Sequence, residues 1–335
     1  MSERERFKSE IDAINAENFE NFALQLFQFQ YKNNKIYKKY VDAIGRIPEN
    51  VRKIADIPFL PIEFFKTQKI VLDDLAKHPT TIFESSGTTT NVNSKHHVFD
   101  LSFYLDNCRR IFECTYGALD DYVILALLPS YLERDNSSLV AMVNFFVEQT
   151  ASSLSGFYLY NYQELIAAVS RIKETEGHQK KIIIWGVSFA LLDIAEQYKV
   201  DFSDCIIMET GGMKGRRAEL TRETLHDQLV NSFQVKAIHS EYGMTELLSQ
   251  CYSRGEGLFS ISSTMRILTR EVNDPFAINT QADKAGGINI IDLANIDSCA
   301  FIETKDIGKV HSNGDFEVLG RFDYSDIRGC NLLIS

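Results

Sequence analysis

Between residues 120 and 240 the chain alternates short, uninterrupted apolar runs with longer amphipathic stretches. That alternation constrains the fold more than any other feature. YVILALL begins at Tyr122, KIIIW at Lys181 and CIIM at Cys205. A strand that is apolar at every position must be covered on both faces, as happens in a parallel sheet flanked by helices. The spacing predicts strands over Tyr122–Leu128, Gly156–Tyr160, Lys181–Trp185, Cys205–Met208 and Val235–His239, and helices over 102–118, 137–152, 162–176, 188–198 and 214–231. Units of this kind are joined by right-handed crossovers.

The flanks have a different character. Residues 1–45 read as helical, with Phe19, Phe22, Ala23, Leu26 and Phe27 recurring on one helix face. The prolines of IPFLPI (57–62) rule out a central helix or strand there and leave an extended connector. After residue 255, GGINIIDLA, CAFIET and DFEVLGR read as short strands joined by Gly, Asp and Asn turns. The expected class is α/β: mostly parallel sheet flanked by helices, with a smaller C-terminal β-rich lobe. The expected division is 1–255, a helical N terminus plus an α/β core, and 256–335, the lobe.

Composition narrows what such a chain can meet. A net charge of −11 over 335 residues disfavours a broad nucleic-acid or anionic-membrane surface, since both need a cationic face. No apolar run approaches the roughly 20 residues that span a bilayer, and MSERERFKSEIDAI is not a basic segment followed by an apolar one. Six cysteines without a C-x-x-C pair fit reduced thiols. A cytoplasmic protein without a membrane span is the expectation.

Three segments carry candidate chemistry. FESSGTTT places five small residues, Ser85, Ser86, Gly87, Thr88 and Thr89, after a short apolar segment. Gly87 allows close backbone approach, and backbone N–H groups and hydroxyls can donate to phosphate oxygens; a surface turn is the plainer alternative. EYGMTE follows the apolar VKAIHS, beyond the carboxyl end of a predicted parallel strand, where open sheets bind ligands. There Glu246 can hold Mg²⁺, Thr245 can bond phosphate and the Tyr242 ring can cover an adenine, or the segment is a strand-end turn with Thr245 as a helix cap. ETKDIG and GRFD place Asp306, able to accept from sugar hydroxyls, and Arg321, able to pair with phosphate, on what are otherwise charged hairpin turns.

In this order, S-S-G-T-T, Y-G-M-T-E, T-x-D and G-R-x-D resemble the adenylate-forming enzymes, which include acyl-CoA synthetases. IPFLPIEFFK, FESSGTTTNVNSKHHV, LPSYLERDNSSLV, ETGGMKGRR, EYGMTELLSQ and GRFDYSDIRGC are similar in particular to the acyl-protein synthetase family of bacterial luminescence operons, related to phenylacetate–CoA ligases. The resemblance spans about residues 50–335. It implies the large N-terminal domain of such enzymes, with residues 1–255 holding the adenylate-binding core. It further implies that Ser85, Ser86, Gly87, Thr88 and Thr89 surround the β- and γ-phosphates, and that Thr210, Gly211 and Gly212 line the adenine and acyl-carboxylate region. Tyr242, with Gly243, would stack on adenine, Thr245 would contact the α-phosphate, Glu246 would ligate Mg²⁺, and Asp306 and Arg321 would address ribose and phosphate. Two departures from the family pattern are expected to matter: Thr90 stands where the loop usually has glycine, and the sequence reads on for only twelve residues beyond Asp323, so the family's mobile domain with its catalytic lysine is expected to be lacking.

The expected activity is ATP- and Mg²⁺-dependent conversion of a carboxylic, by resemblance fatty, acid to an acyl-adenylate. Acyl transfer to a thiol follows, by resemblance Cys330, for delivery to a reductase protein. The alternatives are an acyl-CoA ligase with coenzyme A as acceptor, and a non-catalytic nucleotide-binding protein. Lys95, His96, His97, His239, Trp185 and Gly186 are further candidates for the phosphate or acyl region, each with a structural alternative.

Overall fold

The computed structural model describes residues 1–75, 78–85, 92–129, 136–175, 179–211 and 220–322. The chain opens with helices α1 (Glu3–Glu10), α2 (Phe19–Asn33) and α3 (Lys35–Ala43), followed by strand β1 (Leu60–Pro61) and the single-turn α4 (Phe64–Thr67). Asn34 separates α2 from α3 by accepting from the amides of Ile36 and Tyr37, which caps the second helix. Strands β2 (Thr81–Glu84) and β3 (Lys95–Val98) form an antiparallel hairpin of their own.

The α/β stretch follows: α5 (Leu101–Tyr116), β4 (Tyr122–Leu127), α6 (Ser138–Gln149), β5 (Gly156–Phe157), α7 (Tyr162–Thr175), β6 (Lys181–Val187), α8 (Ser188–Gln197), β7 (Cys205–Thr210), α9 (Arg222–Phe233) and β8 (His239–Tyr242). Strands β5, β4, β6, β7 and β8 pair in parallel. Every residue of β4 is buried, as an all-apolar strand requires. The Asp100, Ser137 and Thr221 side chains cap α5, α6 and α9. The last strand departs from the sequence reading. Gln234 turns α9 off in the left-handed conformation (φ 61°), Val235 and Ile238 pack into the core without joining a ladder, and pairing to β7 begins only at His239. Apolar residues that anchor a helix end to a sheet thus mimic a strand.

The remaining strands are β9 (Cys251–Ser253), β10 (Leu258–Ser260), β11 (Met265–Arg270), β12 (Gly286–Asp292), β13 (Phe301–Val310) and β14 (Phe316–Arg321). They are antiparallel to one another and continue the same sheet, in the order β11-β12-β13-β14-β10-β9-β8-β7-β6-β4-β5. The structure is therefore α/β with a mostly parallel core and a C-terminal β-rich part hydrogen-bonded to it. Two apolar clusters cover the sheet. One centres on Phe112, Phe146, Trp185 and Tyr252. The other joins α2 and α3 to the antiparallel strands, with Phe27 and Tyr37 against Phe301. β1 seals this second contact by pairing in parallel with β13, Leu60 opposite Ile302. Among the described residues no helix is long and apolar enough to cross a membrane.

Candidate functional site

β8 delivers the Tyr242–Glu246 segment beyond the carboxyl end of the parallel strands. Leu247 N donates to Met244 O (3.1 Å), so the chain closes a turn there and starts no helix for Thr245 to cap. Glu246 is 5% exposed. Burial raises its carboxyl above the usual range, while a hydrogen bond from the Ser94 side chain and the cations Arg321 and Lys66 work in the opposite direction.

Ser94 belongs to the β2–β3 hairpin. Its amide donates to Ser85 Oγ (2.9 Å) and its carbonyl accepts from Ser85 N (3.1 Å), closing the neck of the hairpin loop. Ser86, Gly87, Thr88 and Thr89 lie outside the described residues. Lys95 pairs with Glu84 at the surface (3.4 Å). His96 points inward, with Nδ1 2.9 Å from the Thr245 carbonyl; burial pushes it down to about 4, so the ring is neutral. His97 Nδ1 is buried without a hydrogen-bond partner among the described residues.

A second cluster lies at the ends of β6, β7 and β8. Thr210 Oγ1 donates to Glu241 Oε2, and Ser188 Oγ donates to Glu209 Oε1 (2.7 Å) and the Gly211 carbonyl (3.2 Å). Glu241 as a residue is partly exposed, but its carboxyl is enclosed: burial, with Glu209 nearby, raises it to about 7 against the Thr210 hydrogen bond. A Cβ at Gly243 would meet Glu241 Oε1, so any other residue there requires the Glu241 side chain to shift. Gly211 is exposed with φ 75°, a conformation glycine adopts without strain; Gly212 lies outside the described residues.

Asp306 is the meeting point of the third group. Tyr242 Oη donates to Asp306 Oδ2 (2.8 Å), and Arg321 Nε, opposite it in the β13–β14 register, is 3.1 Å from Oδ1. The Tyr242 ring contacts Phe259 and Phe316 at 5.7 and 5.4 Å and is buried. The Arg321 side chain is 67% exposed.

Other candidates fall in the core. Trp185 is fully buried among Phe112, Phe146 and Tyr252, and Gly186 admits Leu191 where a Cβ would clash. His239 Nδ1 is 3.0 Å from the Tyr116 hydroxyl, and burial lowers it to about 4. Cys108, Cys205, Cys251 and Cys299 are buried free thiols, Cys114 is exposed, and Cys330 lies outside the described residues. Sequence reading passed over Ser94, Asn107, Ser188, Glu209, Glu241, Asp292 and Asn295. The only available signal was a polar residue inside an apolar run, as in IIDLAN.

No family model and no curated protein sequence matches the chain. Solved structures do. ATP-bound MatB from Rhodopseudomonas palustris superposes with a TM-score of 0.55 at 15% identity over 75% of this chain and 49% of its own. The O-succinylbenzoate coenzyme A synthetase MenE from Bacillus subtilis, in complex with ATP and magnesium, gives 0.51 at 16% identity over 72% and 50%. An open conformation of 2-hydroxyisobutyryl-CoA ligase, in complex with 2-HIB-AMP and CoA, gives 0.61 at 10% identity over 91% of this chain and 74% of its own. The chain spans about half the length of MatB and MenE. It has the fold of these ligases over the matched parts.

Proposed function

We propose that this chain activates a carboxylic acid with ATP to an acyl-adenylate and transfers the acyl group to a thiol. The observation that carries the reading is the meeting of the Glu246 turn, the Ser85–Ser94 hairpin neck and the Tyr242–Asp306–Arg321 group at one end of the parallel strands. Its support is the shared fold with ligases crystallised with ATP, magnesium or an acyl-AMP. In this reading Ser85, Ser86, Gly87, Thr88 and Thr89 hold the β- and γ-phosphates, and Thr210, Gly211, Gly212, Tyr242 and Gly243 shape the adenine pocket. Thr245 addresses the α-phosphate, and Asp306 and Arg321 the ribose and phosphate.

Glu246 fits a magnesium ion. Its carboxyl is enclosed, with the Ser94 side chain beside it and the cations Arg321 and Lys66 within electrostatic range. One carboxylate completed by phosphate oxygens and water is how Mg²⁺ is usually held in nucleotide sites. When bound, the ion neutralises charge on the phosphates. The acid's carboxylate oxygen forms a bond to the α-phosphorus as the bond to pyrophosphate breaks. The thiolate then bonds to the acyl carbonyl carbon and AMP departs. The protein's contribution to the first step is alignment and charge neutralisation.

For the acceptor we favour Cys330 of the same chain, on the resemblance to acyl-protein synthetases, with a fatty acid as substrate and a reductase protein as recipient. A second reading, coenzyme A, is favoured by the ligase crystallised with CoA, which this chain matches over 91% of its length. Acid-dependent ATP–pyrophosphate exchange across a panel of carboxylic acids tests the activation step, and its absence for every acid refutes it. Labelled acid then separates the acceptors. A hydroxylamine-sensitive protein adduct lost in Cys330→Ser supports the first, and an acyl-CoA product the second.

A further inference from the structure

The turn that carries Glu246 lies outside the strand ladders and is gripped by side chains from distant segments. Asn295 Nδ2 donates to the Glu246 carbonyl (2.7 Å) and Asn107 Nδ2 to the Leu248 carbonyl (2.8 Å). Asp292 Oδ2 accepts from the amides of Leu248 (2.7 Å) and Ser249 (3.1 Å). These grips come from α5 and from the end of β12 and its following loop, and they hold the turn to the body of the protein. Two further groups come from the hairpin. His96 donates from Nδ1 to the Thr245 carbonyl, and the Ser94 side chain lies beside the Glu246 carboxyl and favours its charged form.

Ser94 and His96 are two residues apart, so along an extended chain their side chains share a face. Both are buried, at 3% and 1% exposure. Both ring nitrogens of His96 face oxygens, Thr245 O at 2.9 Å and Asn295 Oδ1 at 3.2 Å, and because a carbonyl only accepts, Nδ1 is the donor to Thr245. The edge-to-face contact with Phe65, at 5.8 Å and 84°, sets the plane of the ring. The Thr245 carbonyl has no other hydrogen bond among the described residues.

We propose that His96 is a positioning residue: with Ser94 it fastens the β2–β3 hairpin to the Glu246 turn, so that Ser85 at the hairpin neck and the Glu246 carboxylate are presented to one nucleotide in fixed relation. This rests on the functional reading given above. A histidine that merely fills space beside Phe65 would make the same contacts, and the two roles separate by substitution. His96→Asn keeps a donor where Nδ1 stands but leaves part of the volume empty. His96→Leu fills the volume and removes the donor.

The test measures the Mg²⁺ concentration that half-saturates ATP–pyrophosphate exchange. His96→Leu is expected to raise it about tenfold, the scale on which groups orienting a metal ligand act. The KM for the acid should stay within about twofold, and His96→Asn should recover most of the loss. The opposite ranking, with Asn worse than Leu, or an unchanged Mg²⁺ requirement in Leu, overturns the proposal. Should His96→Leu fail to fold, Ser94→Ala decides by the same measurement, with a several-fold rise expected and no rise overturning. Should the wild type show no acid-dependent exchange, the functional reading falls by itself, and hydrogen exchange of the unliganded protein judges the fastening. His96→Leu must then release residues 81–98 and 242–250 together, with restoration in His96→Asn; release of one segment alone overturns it.

Discussion

The hydroxyl of Tyr242 reaches Oδ2 of Asp306 across 2.8 Å, binding the last parallel strand to the antiparallel strand β13 at a buried carboxyl. Phenylalanine at this position keeps the ring contacts with Phe259 and Phe316 and removes only the donor. We expect Tyr242→Phe to lower the unfolding free energy by about 2 kcal/mol, the range for a hydrogen bond to a charged group. Urea titration measures this, and a change below about 0.5 kcal/mol would show that the bond is not formed in solution.

Glu241 makes a pH-dependent contribution whose sign follows from its environment. Its folded-state value, raised to about 7 by burial, exceeds that of the unfolded chain, so its stabilising effect is present in acid and lost as the pH rises through 7. Between pH 5 and pH 8 that loss amounts to roughly 2–3 kcal/mol. Glu241→Gln carries no such dependence. The variant should gain on the wild type by this amount over the interval, as read from paired denaturation curves at the two pH values. Parallel curves at both would refute the assignment.

Glu246→Gln preserves shape and removes the charge that a hard cation requires. We expect acid-dependent pyrophosphate exchange to fall at least a hundredfold, with the melting temperature unchanged or raised, because the wild-type carboxyl is buried and raised by that burial. Undiminished exchange would remove Glu246 from the metal site.

The thiols should sort by exposure. Burial pushes Cys205, Cys251 and Cys299 up to about 12 and raises Cys108 as well, whereas Cys114 is exposed on α5. The thiolate is the reactive form. Among the described cysteines, iodoacetamide at neutral pH should modify Cys114 alone in the native protein, as peptide mass mapping would show. Rapid labelling of any of the other four would contradict the packing.

Much of the parallel half was legible because a run such as KIIIW has few places to go other than between two layers. The face of α2 was equally plain, since Phe19, Phe22, Ala23, Leu26 and Phe27 are all buried. A helix face says that something covers it and not what, so its partner Phe301 could not be read. Tyr242, Asp306 and Arg321 were each visible through a motif, and the structure brings them into contact. His96, Ser94, Asn107, Asp292 and Asn295 were not assigned to the Glu246 turn, because an isolated buried polar residue leaves no periodic trace. Only the folded chain discloses which backbone group it serves.

The seat of α2 on the antiparallel strands has a consequence for synthesis. Gln30, fully buried, accepts from the amide of Ala300, 270 residues further along, and donates to the carbonyls of Asn295 and Ile296. The aromatic face of α2 is therefore made some 270 residues before the strands that Gln30 ties it to. At 5–20 residues per second that interval is roughly 14–54 s. Throughout it, Phe22 and Phe27 have only local partners such as Phe7 and Tyr37, and the Phe301 surface is still missing, which makes the nascent α2 a client for any factor that shields exposed aromatic helices.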